Sequence, residues 1–188
     1  MTPVVAILDA NVLYPAPLRD VLLQLAFAGF YQARWSAEIE EWKRNLLAAR
    51  PELAEPIERT QAVMRRAVPD ALVTGYAAQI PNLVLPDPDD RHVLAAAITA
   101  EAEIIVTFNT RDFPAAALAS HGLVAQHPDE FLQGFIATMP TQFMAVVRRC
   151  IGRLTNPPVT AAVYLATFRR LGLRETATFL ASNLADWQ

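Results

Sequence analysis

The sequence has little that would support several common kinds of site. Its single cysteine, Cys150, excludes an internal disulfide and a cysteine-based zinc cluster. Cys150 has no histidine near it in the sequence, so we expect it to be a packing residue rather than a nucleophile. The six glycines form neither a phosphate-binding loop nor a dinucleotide-binding fingerprint. The three histidines lie in unrelated contexts, without metal-ligand spacing, at His92, His121 and His127.

Long hydrophobic runs are also missing. No apolar stretch approaches the length of a membrane span, because a charge or a proline interrupts each run. The N-terminus lacks the basic leader of a secretory signal, since Met1-Thr2-Pro3 leads directly into a strand-like segment. An apolar fraction of 53% beside a charged fraction of 19% indicates a compact globular chain. We therefore expect a cytoplasmic protein.

With a net charge of −3, the chain has no overall positive charge that would indicate a nucleic-acid partner, but its charges are unevenly distributed. Residues 1–132 carry a net charge of −7 and residues 133–188 a net charge of +4. An acidic front with a basic tail fits an enzyme that gathers cations at one place and attracts a polyanion at another. Arginines that merely solvate outer helix faces explain the tail equally well. The candidates for RNA-phosphate contacts are Arg148, Arg149 and Arg153, followed by Arg169 and Arg170.

Strand-like and helix-like segments alternate over the first 132 residues. Five short apolar runs predict strands at residues 4–8, 31–35, 83–85, 104–107 and 122–125. Apolar residues at helical spacing predict helices between them, at residues 18–28, 36–49, 52–68 and 92–102. This alternation is typical of an α/β fold, and we expect a three-layer α/β/α arrangement with a central parallel sheet of about five strands.

The last part of the chain shows no strand pattern. It predicts helices near residues 133–151, 159–171 and 173–184, separated by Asn156-Pro157-Pro158 and by Gly172. The residues Asp129-Glu130-Phe131-Leu132 are predicted to form the turn that ends the α/β alternation. We therefore expect two parts, an α/β domain of residues 1–132 and a helical C-terminal extension of residues 133–188.

Acidic and carboxamide side chains follow four of the predicted strands. Functional groups of parallel α/β sheets collect beyond the carboxyl ends of the strands, so we expect these side chains to lie together. Neighbouring carboxylates repel one another, and oxygen ligands without histidine or cysteine suit Mg²⁺ or Mn²⁺ rather than zinc. Such ions hydrolyse phosphodiesters by activating a bound water. The side chains are Asp9 and Asn11; Glu38, Glu40 and Glu41; Asp87, Asp89 and Asp90; and Asn109 and Asp112.

Each of these acids also has a purely structural explanation. Asp9 is the hardest to explain in that way, because a carboxylate that ends a buried strand must be paired, capping or metal-bound. The three glutamates are also what the dipole of a helix favours in its first turns. Among the three aspartates after the third strand, at least one is expected to be an Asp-Pro turn former or a helix cap. Asp112 could cap a short helix that begins near Phe113-Pro114.

Four segments of the sequence contain these acids and carboxamides. They are Leu8-Asp9-Ala10-Asn11-Val12-Leu13, Ser36-Ala37-Glu38-Ile39-Glu40-Glu41-Trp42, Asp87-Pro88-Asp89-Asp90-Arg91-His92-Val93-Leu94-Ala95-Ala96-Ala97 and Val106-Thr107-Phe108-Asn109-Thr110-Arg111-Asp112-Phe113. In order and in spacing they resemble the four motifs of PIN-domain nucleases, many bacterial members of which are VapC-type toxins of toxin–antitoxin pairs. The match covers roughly residues 4–132, and the motifs are specific only in combination.

The resemblance implies endonucleolytic cleavage of RNA with Mg²⁺ or Mn²⁺ as cofactor, and an antitoxin protein as partner. By motif position, Asp9, Glu41 and Asp90 would be the first three metal ligands. The fourth position departs from many relatives, which carry aspartate where Asn109 stands. Others carry Thr-x-Asn-x-x-Asp, as here, so either Asp112 supplies the fourth carboxylate or the ligand set is weaker. Asn11 would orient the site by hydrogen bonding.

Two other functions stay open at this point. The first is a catalytically weak PIN fold used for binding or assembly through its helical tail, which Asn109 favours. The second is an α/β phosphatase, because Asp9-Ala10-Asn11 is similar to an Asp-x-Asp nucleophile pair. That reading ranks last, since the second aspartate and a downstream lysine are missing. The apolar face of the tail is compatible with a homodimer, although burial within one chain explains it equally well.

Overall fold

The structure, a computed structural model, describes residues 3–37, 58, 62, 64, 66, 68–154 and 159–184. Its described strands form one sheet in the order β3-β2-β1-β4-β5, and every neighbouring pair is parallel. Parallel neighbours need crossover connections, which explains why helices separate most of the strands along the chain. The strands are β1 Val5–Leu8, β2 Gln32–Ser36, β3 Leu72–Val73, β4 Ile104–Val106 and β5 Val124–Gln126.

Two helical layers cover the sheet, one on each face. Side chains alternate between the faces of a strand, and in β1 both Ala6 and Leu8 belong to one hydrophobic core while Ile7 belongs to the other. All three are almost completely buried. A strand buried on both faces reads as a continuous apolar run, which is why residues 4–8 were recognisable in the sequence. The three-layer α/β/α prediction is confirmed.

The described helices fall into the two layers according to the core that they join. Helix α2 begins with Pro17 in its first turn and ends before Gly29, whose φ of +80° suits glycine. It packs with the C-terminal helices on one face, whereas α3 packs on the other face through small side chains such as Ala95, Ala96 and Ala97. The helices are α1 Ala10–Leu13, α2 Ala16–Phe27, α3 Arg91–Thr99, α4 Ala115–Leu118, α5 Pro128–Thr138, α6 Pro140–Gly152, α7 Ala161–Arg170 and α8 Arg174–Asn183.

The prediction of a strand at residues 83–85 is wrong. The edge strand β3 lies earlier, where Leu72 pairs with Trp35 and Val73 pairs with Ser36. Residues 83–85 follow a short 3₁₀ helix, Ala77–Asn82, and stay outside the sheet. Their alternation has another cause: Leu83 and Leu85 enter the second core, while Val84 is 78% exposed.

The single helix predicted at residues 133–151 is two helices, α5 and α6. They meet at Met139, with φ −139° and ψ 53°, because Pro140 has no N–H to continue α5 but suits the first turn of α6. Helix α5 also begins earlier than expected, at Pro128. The predicted turn at residues 129–132 is therefore the first part of α5, which the His127 side chain caps by accepting the N–H of Asp129.

The C-terminal helices share one core with α2 and the adjoining face of the sheet. Aromatic rings link the two parts, because Tyr31 stacks on Phe135 with ring centroids 5.8 Å apart. The Asp129 carboxylate adds a second link by accepting N–H groups of Glu175 and Thr176 at the start of α8. The division into residues 1–132 and 133–188 thus stays a proposal, because the two parts pack against each other in one hydrophobic core.

The helices predicted at residues 36–49 and 52–68 lie largely outside the described residues. Of the second, Glu58, Ala62, Met64 and Arg66 are described and helical. Across the described part of the chain, no helix is long and apolar enough to cross a membrane.

Candidate active site

Asp9 lies at the carboxyl end of the central strand β1. The register pairs Leu8 with Val106, so Asp9 stands beside Thr107 at the end of β4. Its side chain is only 7% exposed, and its Oδ2 accepts two hydrogen bonds of 2.7 Å, from Asn11 Nδ2 and Thr107 Oγ1. Although Asp9 precedes α1, its side chain makes no capping bond to that helix. A buried carboxylate held in this way is paired through one oxygen and is not a helix cap.

Thr107 is the centre of this hydrogen-bond network. Its fully buried hydroxyl donates to Asp9 Oδ2 and accepts from Asn11 Nδ2 at 3.0 Å and from the Asn109 backbone N–H at 3.0 Å. Asn11 completes the network, because its Oδ1 accepts the Phe108 N–H at 3.2 Å. The network therefore joins the exits of β1 and β4 and fixes the direction of the Asp9 carboxylate. The motif analysis included Thr107 but did not select it as a site residue.

Three further aspartates lie around Asp90, at the start of α3. Asp87 Oδ1 accepts the Asp89 N–H at 2.9 Å and caps the 3₁₀ helix Pro88–Asp90, which confirms that one of these acids is a turn former. Burial and, after it, the charges of Asp9, Asp87, Asp112 and Asp89 together raise the pKa of the half-buried Asp90 carboxyl to about 6. Acids from two other chain segments, Asp9 and Asp112, thus act on Asp90.

Asp112 ends a short 3₁₀ helix, Thr110–Asp112, beyond β4. Its charge contributes to the raised pKa of Asp90, so it belongs to the same acidic group. The residue that precedes α4 is Pro114, and no side chain caps that helix. The capping explanation for Asp112 therefore has no support. Asn109 contributes to the network through its backbone, and its side chain makes no capping bond.

Glu38, Glu40 and Glu41 lie outside the described residues. The end of β2, from which they follow, is described: the buried Ser36 hydroxyl hydrogen-bonds His92 Nδ1 at 3.0 Å. The Ala37 N–H donates to the Tyr76 hydroxyl at 2.8 Å. These contacts fix the exit of β2 beside the start of α3, where Asp90 lies.

The described acids fit a cation with hard oxygen ligands better than they fit a zinc site. No group of three or more His, Cys, Asp or Glu side chains in the described ranges is arranged so that it could hold a metal ion. Mg²⁺ does not require such a cage, because it commonly keeps several waters and binds through one or two carboxylates. A divalent cation would relieve the repulsion that the neighbouring carboxylates exert on Asp90. A water-retaining ion at Asp9 and Asp90 is thus compatible with these residues.

The single cysteine, Cys150, has a structural role and is not a nucleophile. Cys150 is buried in α6, and its thiol contacts the Asp20 carbonyl oxygen at 3.8 Å. Burial raises the pKa of Cys150 to about 12, so the reactive thiolate is suppressed. The expectation that Cys150 is a packing residue is confirmed.

Comparison with known proteins agrees with the motifs and with the sheet. A PIN-domain family model matches residues 5–111, which is more than half of the chain. The chain belongs to the PIN-domain family. A second family model, the VapC50 C-terminal domain, matches residues 128–182. The tail of this PIN-domain protein is thus similar to a recognised domain, a relationship that the tail's sequence pattern alone did not reveal.

A named relative supports the same family. The PIN-domain chain is 34% identical over 113 residues to a Mycobacterium tuberculosis protein named "Putative ribonuclease VapC50". The match covers 58% of this chain and 64% of the relative, which is less than two thirds of its length. No solved structure matches the chain.

Proposed function

We propose that this PIN-domain protein is a Mg²⁺- or Mn²⁺-dependent endoribonuclease that hydrolyses RNA phosphodiester bonds. The observation that carries the proposal is the Asp9 carboxylate, which is buried, is held through Oδ2 and acts with Asp112 on the carboxyl of Asp90. The similarity to a protein named as a ribonuclease supports the reaction class. A cluster of carboxylates offers only oxygen ligands, which suit a hard cation, and such a cation suits the hydrolysis of a phosphodiester.

The residues divide into cation ligands and supporting groups. Asp9, Glu41, Asp90 and Asp112 would hold the cation, and when bound it would activate a water and shield the charge of the scissile phosphate. Asn11 and Thr107 keep the Asp9 carboxylate oriented, so that its side chain need not rearrange when a cation binds.

The fourth ligand position is best assigned to Asp112. Its charge acts on Asp90, whereas Asn109 is engaged through its backbone N–H with Thr107. If Asp112 is the fourth ligand, Asp112→Asn lowers the cleavage rate strongly and Asn109→Asp changes it little. The opposite ranking in a steady-state cleavage assay would assign the position to residue 109.

The biological role that we propose is that of the toxin of a type II toxin–antitoxin pair, acting on RNA in the cytoplasm. The matches to a PIN domain and to a VapC50 C-terminal domain support this role. The partner would then be an antitoxin protein that covers the acidic site. Expression of the chain alone should arrest growth, and co-expression of a small protein encoded beside it should restore growth.

A binding or assembly module with weak catalysis is the second candidate, and Asn109 is the observation that favours it. The shared core argues against this candidate, because α6 and α7 already bury their apolar faces against α2 and these faces are not available to a partner. A homodimer remains compatible with the exposed surface of these helices.

RNA cleavage with and without a cation tests the enzymatic proposal. Wild-type protein freed of metal with EDTA should leave a single-stranded RNA intact, and added Mg²⁺ or Mn²⁺ should produce internal cuts. Glu103→Gln serves as the control, since Glu103 is exposed at the opposite, amino end of β4. No cleavage with either ion, together with no heat of cation binding by calorimetry, would favour the binding module.

A further inference from the structure

An exposed aromatic ring lies next to the acidic site. Tyr14 immediately follows α1, a helix of one turn that begins directly after Asp9, and its side chain is 64% exposed. One helical turn advances the chain by only about 5 Å, so the ring stays near the sheet edge that carries Asp9. The backbone at this point is fixed by Arg19, whose Nη1 donates to the carbonyl oxygens of Leu13 at 2.9 Å and Tyr14 at 3.3 Å. The ring is thus presented from an ordered loop.

A pair of arginines lies at the end of α6, where this helix contacts the start of α2. Arg149 and Arg153 are four residues apart at the end of α6, so they share one helix face, and both are exposed. The Cys150 thiol contacts the Asp20 carbonyl oxygen, which brings this end of α6 against the second turn of α2. Burial raises the pKa of Asp20, while the guanidinium groups of Arg19 and Arg153 lower it. Asp20 therefore lies between the arginine that fixes the Tyr14 loop and an arginine of α6.

The neighbouring Arg148 is directed elsewhere. Its Nη2 donates to the Asn183 carbonyl oxygen at the end of α8, 3.2 Å away. Of the three arginines at the end of α6, Arg149 and Arg153 are the pair whose charges act on the Cys150 thiol, and Arg153 also acts on Asp20.

We propose that Tyr14, Arg149 and Arg153 form a binding track for single-stranded RNA beside the acidic site. This inference rests on the proposed ribonuclease function, which supplies the reason for RNA to approach Asp9. Unpaired bases stack on exposed aromatic rings, and arginines neutralise the phosphates between them. The net charge suits this occupant, because the two exposed arginines outnumber the half-buried Asp20, and Arg19 is engaged with the backbone.

The track gives the tail a role in the reaction. A strongly acidic site repels the phosphates that it must cleave, even when a cation lowers that repulsion. Positive charge and a stacking surface placed just outside the acids would hold the substrate without adding cations to the ligand set. In this account α6 contributes substrate affinity, whereas Asp9 and its neighbours contribute the chemistry.

Fluorescence anisotropy with a labelled, unstructured RNA in EDTA tests the stacking contact without cleavage. Base stacking predicts that Kd for Tyr14→Ala is higher by about 5- to 150-fold. Tyr14→Phe keeps the ring and should stay within about 2-fold of wild type. Phe27→Ala is the matched control, because Phe27 is 63% exposed at the far end of α2. Equal effects of Tyr14→Ala and Phe27→Ala would overturn the inference.

The salt dependence of Kd tests the arginines. For single strands, each neutralised phosphate contributes about 0.7 to the slope of log Kd against log salt, so the pair Arg149→Ala and Arg153→Ala should lower the slope by about 1.4. The charge-matched comparison is the exposed pair Arg169→Ala and Arg170→Ala at the end of α7, which the sequence also suggested for RNA contacts. The track leaves these two arginines out, so their replacement should leave the slope unchanged. Equal slopes for the two double variants would contradict the track.

These binding results are distinguishable from a failure of the proposed function. If wild type cleaves RNA with Mg²⁺ but Tyr14→Ala binds RNA as well as wild type does, the track is refuted and the nuclease stands. If RNA binds through Tyr14 and no cleavage occurs with either ion, the track stands and the nuclease is refuted. Weakened binding of a co-purified antitoxin by Tyr14→Ala, with RNA binding unchanged, would assign the surface to a protein and overturn the inference.

Discussion

The network around Thr107 makes a sharp prediction for the substitution Thr107→Val. Valine has nearly the same shape but no hydroxyl, so three hydrogen bonds are lost without a large change in packing. The bond to the Asp9 carboxylate contributes about 1.5–3 kcal/mol, as bonds to charged groups do. The Asn109 N–H loses its acceptor, which costs about 1–3 kcal/mol if it stays dry. Because neighbouring terms are not additive, we expect a loss of about 2–4 kcal/mol.

Urea unfolding in EDTA measures this loss, with Thr107→Ser as the conservative control. Serine keeps the hydroxyl and removes only a buried methyl group, so Thr107→Ser should lose about 1 kcal/mol. The m-value should be the same for all three proteins, since the surface exposed on unfolding does not change. A Thr107→Val protein as stable as Thr107→Ser would refute the reasoning, because the hydroxyl would then contribute nothing to the fold.

The same pair of variants separates orientation from stability. If Thr107 positions Asp9, cation affinity falls about 10- to 100-fold in Thr107→Val and returns in Thr107→Ser, as is typical for groups that orient metal ligands. Calorimetric titration with Mn²⁺ at a temperature where every variant is folded would measure this difference. Equal affinities in folded Thr107→Val and wild type would leave Thr107 with a structural role only.

Two further predictions concern charge and the tail. The pKa of Asp90 is raised from 3.8 to about 6, so the folded state binds this proton more tightly and stability falls as pH rises through that interval. The full shift corresponds to about 3 kcal/mol, which solvent screening of a half-exposed group reduces to about 1 kcal/mol. Asp90→Asn should therefore raise the Tm of metal-free protein at pH 7.5 by about 2–4 °C, but not near pH 4. Asp89→Asn should raise the Tm less, because the charge of Asp89 acts least on Asp90. A lower Tm for Asp90→Asn would contradict the electrostatic argument. Asp129→Ala should lower the free energy of unfolding in urea by about 2–3 kcal/mol, because three hydrogen bonds to Glu175 and Thr176 are lost. Glu130, which is exposed in the same helical turn, is the control. A similar loss in Glu130→Ala would show that these bonds are not the cause.

Much of the fold follows from local patterns. Strands β1, β2, β4 and β5 were predicted close to their observed bounds, because buried parallel strands are short apolar runs between helices. Strand β3 was missed because it has only two residues, of which Leu72 is 45% exposed, and it exists through its pairing with β2. The false strand at residues 83–85 has the alternation of a strand but anchors a loop.

The site was predictable only in part for a related reason. Acids after short apolar runs form a pattern that can be seen in the sequence, although the run before Asp90, residues 83–85, is not a strand. The charges of Asp9 and Asp112 nevertheless act on Asp90. Thr107 contacts Asp9 across 98 residues, and a lone threonine after a strand carries no periodic signal. The chemistry of proline predicts a helix break at Pro140, but apolar residues continue at helical spacing from α5 into α6, and the break was missed for that reason.

The rate of RNA cleavage by Asp9→Asn at saturating Mg²⁺ tests the central claim most directly. Asparagine keeps the size of the side chain and can still hydrogen-bond Thr107, but it removes the buried negative charge that would hold the cation. The account predicts a loss of at least about 100-fold in kcat/KM, as for other groups that position charge at a reaction centre. Glu103→Gln should cleave like wild type. Cleavage by Asp9→Asn at the wild-type rate would contradict the claim that Asp9 is the core of the active site.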